Sequence, residues 1–198
     1  MEIRIKNQVW ERVNCNFKVF QNGDPINYAA SNEDWVKLSN SEKPAWCYYD
    51  NNPENENKFG LLYNWYAIVD ERKIATDGWC VPNTKDWEIL ISNFGVYNNA
   101  GKHLKSATGW SLECNLGDNL SGFSAFPGGK RWVDGNFMGS ETSAIFWAID
   151  NNKLNDDTNN AKFATHYDIY AGDGIYPNQI DKRAGYSLRL LKNIRFDS

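Results

Sequence analysis

Four segments that set large rings beside glycine stand in order along the chain: Gly60-Leu-Leu-Tyr-Asn-Trp-Tyr-Ala67, Asp77-Gly-Trp-Cys-Val-Pro-Asn-Thr84, Gly122-Phe-Ser-Ala-Phe-Pro-Gly-Gly129 and Gly185-Tyr-Ser-Leu-Arg189. Glycine permits tight turns and close backbone approach, and the rings supply large apolar surface, so such segments read as short packed pieces joined by turns. Most of the 9 Trp, 10 Tyr and 10 Phe are therefore expected in a core. Trp10, Trp46, Trp65, Trp79 and Trp87 are read as structural, and Pro127-Gly128-Gly129 as a tight turn or close approach.

A length of 198 residues fits one domain, taken as residues 1–198, and suffices for a real core. Apolar residues make up 41% of the chain and charged residues 23%, a balance that folds rather than staying disordered. The 21 basic and 25 acidic side chains leave a net charge of −4, with no Lys/Arg cluster to neutralise a phosphate backbone, so nucleic acid is not an expected partner. Met1 to Gln8 carries charge but no apolar stretch behind it, and the expectation is a chain without a visible signal peptide. The longest apolar run, Ala144 to Ile149, is far below the roughly 20 residues a membrane helix needs, so membrane insertion is not expected.

Glu2-Ile-Arg-Ile-Lys6 alternates apolar and charged, the pattern of a half-buried strand that Val9-Trp10 and Val13 continue or follow. Ser31 to Leu38 predicts a short helix. The polar run Asp50 to Asn57 predicts a solvated loop. After Pro82, Asn83 and Asp86 can form a reciprocal cap, with Trp87, Leu90, Ile91 and Phe94 as the inward stripe up to Gly95. A weaker helical stretch runs from Asn98 to Lys105. Phe123 to Phe126, Arg131 to Val133, Ile145 to Ile149, Lys162 to Ile169 and Tyr186 to Leu191 are short β-like runs among turn formers.

Cys15, Cys47, Cys80 and Cys114 form no Cys-x-x-Cys pair, and Cys47 and Cys80 adjoin large apolar groups, so buried thiols are favoured over disulfides or metal ligands. Asn155, Asp157 and Asn159 imitate the first ligand positions of a calcium loop, but Asn160 and His166 stand where glycine and glutamate are required, so no metal site is expected. Only His103 and His166 could serve as neutral-pH bases, and both have simpler accounts at a surface or in packing. Ser124 lacks the second glycine of a nucleophile elbow, and Gly128-Gly-Lys-Arg131 lacks the parts of a phosphate loop. No catalytic residue and no cofactor is expected.

Together with Asn7 to Trp10, Phe20 to Asp24 and Lys43 to Tyr49, the four segments resemble the Fibrobacter succinogenes major paralogous domain family over nearly the whole chain. The resemblance implies an α+β, C-type-lectin-like fold akin to that of formylglycine-generating enzymes: two helices, a small twisted antiparallel sheet, paired terminal strands and long loops. It also implies a surface protein rather than an oxidase, because those enzymes depend on a late cysteine pair and nothing beyond Cys114 is cysteine. The expected function is recognition or adhesion at a cell or virion surface, with a glycan or protein receptor as partner. The alternative is a structural subunit packing against other subunits of a surface or phage assembly, identical copies included, and behind it stands an enzyme related to the formylglycine-generating oxidases.

The residues placed at the ligand face are Trp132, Phe137, Trp147, Tyr167, Tyr170, Tyr176 and Arg183, in the Asn-, Asp- and Gly-rich second half. The binding role falls to whichever rings are exposed, with Phe137, Tyr170 and Tyr176 first among them.

Overall fold

The computed structural model describes residues 2–150 and 162–193. Its first strands are β1 (Glu2–Ile5), β2 (Gln8–Glu11), β3 (Asn27–Tyr28), β4 (Ala45–Cys47), β5 (Leu62–Tyr63) and β6 (Trp79–Cys80). They are followed by β7 (Gly128–Arg131), β8 (Phe137–Ser140), β9 (Ala144–Trp147), β10 (Phe163–Ile169), β11 (Ile175–Asp181) and β12 (Leu191–Lys192). The helices are α1 (Asn32–Asn40), α2 (Glu56–Phe59), α3 (Trp65–Ile68), α4 (Thr84–Ser92) and α5 (Ala100–Leu104).

The protein is α+β, but the single sheet expected from the sequence is divided. Among the described residues four small sheets run β1-β2-β12-β6, β11-β10-β9, β3-β4-β5 and β7-β8, and their strand pairings are antiparallel except that of β3 with β4. The alternating start of the chain forms the hairpin β1/β2, with Ile3 opposite Trp10. Leu191 of β12 lies opposite Trp10 on one side and Cys80 on the other, so the two ends of the chain share a sheet.

The two longest helices begin where the cap residues place them. Ser31 accepts a hydrogen bond from the Asp34 amide at the head of α1, and Asn83 and Asp86 close a reciprocal capping box on α4. Such a cap contributes about 1 kcal/mol. Among the described residues the buried side chains gather in three clusters. In the largest, Trp87 of α4 stacks on Tyr167 at 5.1 Å between ring centroids and meets Trp10, Phe123 and Phe146 within 5.7 Å. A second gathers Tyr63, Trp147, Tyr186 and Leu188, and the third surrounds Trp35 and Tyr49.

The ring-and-glycine segments explain this packing. A Cβ on Gly60, where φ is +73°, would lie 2.7 Å from Asn14 Cβ, so only glycine lets these chain segments meet. Asn64 is fully buried and fully used: its oxygen accepts from the Ala45 and Ala67 amides and its nitrogen donates to Lys43 and Ser39.

Several expectations require correction. Phe123 to Phe126 is no strand, because Ser124 takes a positive φ of 55° and the segment turns under the core. Tyr186 to Leu191 crosses between sheets through isolated bridges to Tyr63 and Phe146 instead of running as one strand. Residues 50–57 hold two short 3-10 turns and the start of α2. The seven-residue β11 was not foreseen. The Asn155, Asp157 and Asn159 spacing lies outside the described residues.

Candidate functional site

The sheet β9-β10-β11 has two different faces, and strand alternation assigns its residues to them. Tyr167 and Ile169 point into the largest cluster, with Phe146 and Ile175 beside them. His166 and Asp168 take the opposite face, where the register sets His166 between Trp147 and Asn178, and Asp168 between Ile145 and Tyr176. Tyr170, one residue past β10, continues that row.

Asp168 is the hub of this face. It is buried, and its Oδ2 accepts from Asn178 Nδ2 at 2.8 Å and faces His166 Nε2 at 3.2 Å. The His166 ring packs on Tyr186, 4.7 Å between centroids. Asp168 Oδ1 and His166 Nδ1 are buried without a hydrogen-bond partner. Burial, reinforced by Asp168, pushes the Tyr170 phenol up to about 12 and the Tyr186 phenol higher still. Burial lowers the Lys130 ammonium while Asp168 pulls it back up. Lys130 itself lies over the Trp132 ring, 4.4 Å from its centroid, and Trp132 contacts Met138 across β7/β8.

The structure thus sets Tyr170 in the row of Asp168, with Tyr176 opposite Asp168 in the register and exposed beside it, while Trp132 is linked to this face only through Lys130, on which Asp168 acts. Tyr170 and Tyr176 are each 43% exposed, and the Tyr176 hydroxyl donates to Asn98 Oδ1 at 3.0 Å. The other expected residues lie elsewhere. Trp147 and Tyr167 are sealed in the core, where Trp147 donates to the Tyr63 carbonyl at 2.7 Å and Tyr167 to the Thr84 carbonyl at 3.2 Å, so their rings serve packing. Phe137, expected to be exposed, is half-buried against Tyr49 with the Arg131 guanidinium 4.5 Å from its centroid. Arg183 is spent on structure: it forks onto Asp181 at 2.9 and 2.7 Å, reaches Asn40 of α1 at 2.8 Å, and its carbonyl accepts from Trp35.

Sequence reasoning gave no site role to Lys130, Asp168 or Asn178, although Lys130 lay in the Gly128-Gly-Lys-Arg131 segment rejected as a phosphate loop. The signal for Asp168 was alternation along 166, 168 and 170. His166 was weighed as a packing or hydrogen-bonding residue, and it does both.

A second feature lies where the ring-and-glycine segments converge. A cleft of about 450 Å³ is bounded by Asn14, Phe59 and Gly60, by Ser124 and Phe126, and by Arg189, with Arg12 and Lys58 at its mouth. Arg189 is 1% exposed, and Asn14 and the carbonyls of Glu11, Arg12 and Phe123 accept its hydrogen bonds. Burial lowers this guanidinium to about 10, opposed by Cys15 and Glu11. The four cysteines are free thiols, and burial raises those of Cys15, Cys47 and Cys80, Cys47 to about 11. No group of His, Cys, Asp and Glu suited to a metal ion occurs among the described residues, and none of their helices is long and apolar enough to cross a membrane.

The fold defines a small α+β domain whose recurrent segments build its core. The chain belongs to the Fibrobacter succinogenes major domain family, whose match covers residues 3–192. No curated protein and no solved structure matches it.

Proposed function

We propose that this chain is a non-catalytic recognition domain on a C-type-lectin-like scaffold, displayed on a cell or virion surface and binding a glycan or protein receptor through the β10–β11 face. The observation that carries the reading is the pair of exposed rings, Tyr170 and Tyr176, at the hub formed by Asp168, Asn178 and Lys130. Rings that stack on a sugar or a side chain, set beside a carboxyl, an amide and an ammonium, supply the contacts a polyhydroxylated or peptide ligand needs. His166 and Asp168 converge as an acid–base pair would, but both are buried and Asp168 is already held by Asn178, which favours a fixed anchor over a proton-transferring group.

Screening the full chain on a glycan array and on intact cell envelopes tests this reading. Binding is expected for the native protein and a loss of at least about tenfold for Tyr170→Ala and for Tyr176→Ala. Binding that survives both substitutions would remove the face from consideration.

The assembly reading is favoured by one observation, the run of exposed leucines Leu112 (97%), Leu116 (56%) and Leu120 (70%) between Ser111 and Gly122. Light scattering at rising concentration distinguishes it, since a packing subunit self-associates and Leu112→Ser with Leu120→Ser restores the monomer.

A further inference from the structure

We propose that the cleft over Arg189 binds a small polyhydroxylated anion, an acidic monosaccharide bearing a carboxylate or a phosphate. This site is separate from the β10–β11 face and stands or falls independently of it.

Charge is the first argument. Arg189 and Arg12 form no ion pair with any described carboxylate; Glu56 in the same wall is already matched by Lys18 at 2.8 Å. Lys58 at the mouth pairs with Glu141 across exposed surface at 3.3 Å, an arrangement that solvent screens and that yields to competition. A guanidinium buried among carbonyls and an amide, with Glu11 and Cys15 acting on it only from beyond ion-pair distance, is costly, and an anion seated above it in a partly dehydrated cleft recovers part of that cost. Burial lowers the Arg189 guanidinium even though Cys15 and Glu11 pull it back up.

Shape and lining are the second. The cleft, about 450 Å³, has the size of a monosaccharide site. Phe126 offers a ring for the apolar face of a pyranose, and Asn57 and Ser124 offer hydrogen-bonding groups for its hydroxyls. Arg12, exposed at the mouth, has its guanidinium free to fork onto the anionic group. Three of the four ring-and-glycine segments, or residues adjoining them, meet at this one place, although they lie far apart in sequence.

The test is a titration of the uniformly 15N-labelled full chain with glucuronate, glucose 6-phosphate and glucose, read by amide and side-chain shifts. At least one of the two anions is expected to shift Asn57, Ser124 and Arg189, and the stronger of them tells carboxylate from phosphate. Glucose is expected to bind at least about tenfold more weakly than that anion, and Arg12→Glu to weaken the anion by a similar factor with the rest of the spectrum unchanged. Equal shifts with glucose, silence with both anions, or an Arg12→Glu protein that binds as before would overturn the assignment. Arg189 itself is left intact, because it also holds the fold.

Discussion

At the scale of single residues, this protein uses buried charge as internal bracing. Lys105 is fully buried and forms no ion pair with a described carboxylate, Asp173 acting on it only from farther off: its ammonium donates to the carbonyls of Asn115, Ala171 and Gly172 at 2.9, 3.1 and 2.7 Å and lies over Trp110. It thereby pins the turn just after Tyr170. Asp181 and Asp70 brace by ion pairing. Burial pushes Asp181 up, but Arg183 and Lys162 outweigh it, and Arg72 holds Asp70 down; both carboxyls titrate below their ordinary 3.8. A carboxyl depressed in the folded state stabilises above its unfolded pKa, and that stability is lost as pH falls through the folded value. The urea midpoint is therefore expected to hold steady near pH 5 and to drop below about pH 4, with a shallower drop in Asp181→Asn. An Asp181→Asn protein with the native acid slope would show that the Arg183 pair contributes nothing.

At the scale of elements, the helices were legible because their signals are local. Ser31, Asn83 and Asp86 cap from within a turn of the residues they satisfy. Strand β11 was not legible, because it is the edge of its sheet and carries Pro177, with an exposed polar middle that alternation cannot mark. The polar hub escaped for a related reason: Asp168 and Asn178 meet only through sheet register, and Asp168 acts on Lys130 only through the approach of β7, neither of which a linear pattern encodes. Arg183 and Trp147 were misplaced because composition cannot tell a guanidinium committed to Asp181 from a free one, or a sealed ring from an exposed one.

Helix α5 gives this scale its prediction, since it packs on the β10–β11 turn through backbone. A Cβ on Gly101 would lie 2.3 Å from the Gly174 carbonyl oxygen, whereas Gly172 has open space around it. Gly101→Ala should destabilise by more than about 1 kcal/mol despite its better helix propensity, and Gly172→Ala should be close to neutral. Chemical denaturation decides, and equal midpoints for the two variants would mean that the turn moves freely away from α5.

At the scale of the whole molecule, the four ring-and-glycine segments identified the family and the joined ends, and the rest depended on where one arginine reaches. Arg189 precedes β12, yet it donates to the carbonyls of Glu11 and Arg12, to Asn14 and to the carbonyl of Phe123, and its guanidinium stacks over the rings of Phe123 and Phe146. It thus ties the end of the N-terminal hairpin, the central turn and the last strand at one point. Arg189→Met keeps most of the volume but leaves buried acceptors unsatisfied, which costs more than about 3 kcal/mol when several are orphaned together. If the termini are one cooperative unit, native-state hydrogen exchange in this variant should speed up together in β2 and β12, while α4, held by Trp87 and its capping box, keeps more protection. Fraying of β12 alone, with β2 as protected as in the native chain, would show that the hairpin stands without its C-terminal partner and that Arg189 serves only the cleft above it.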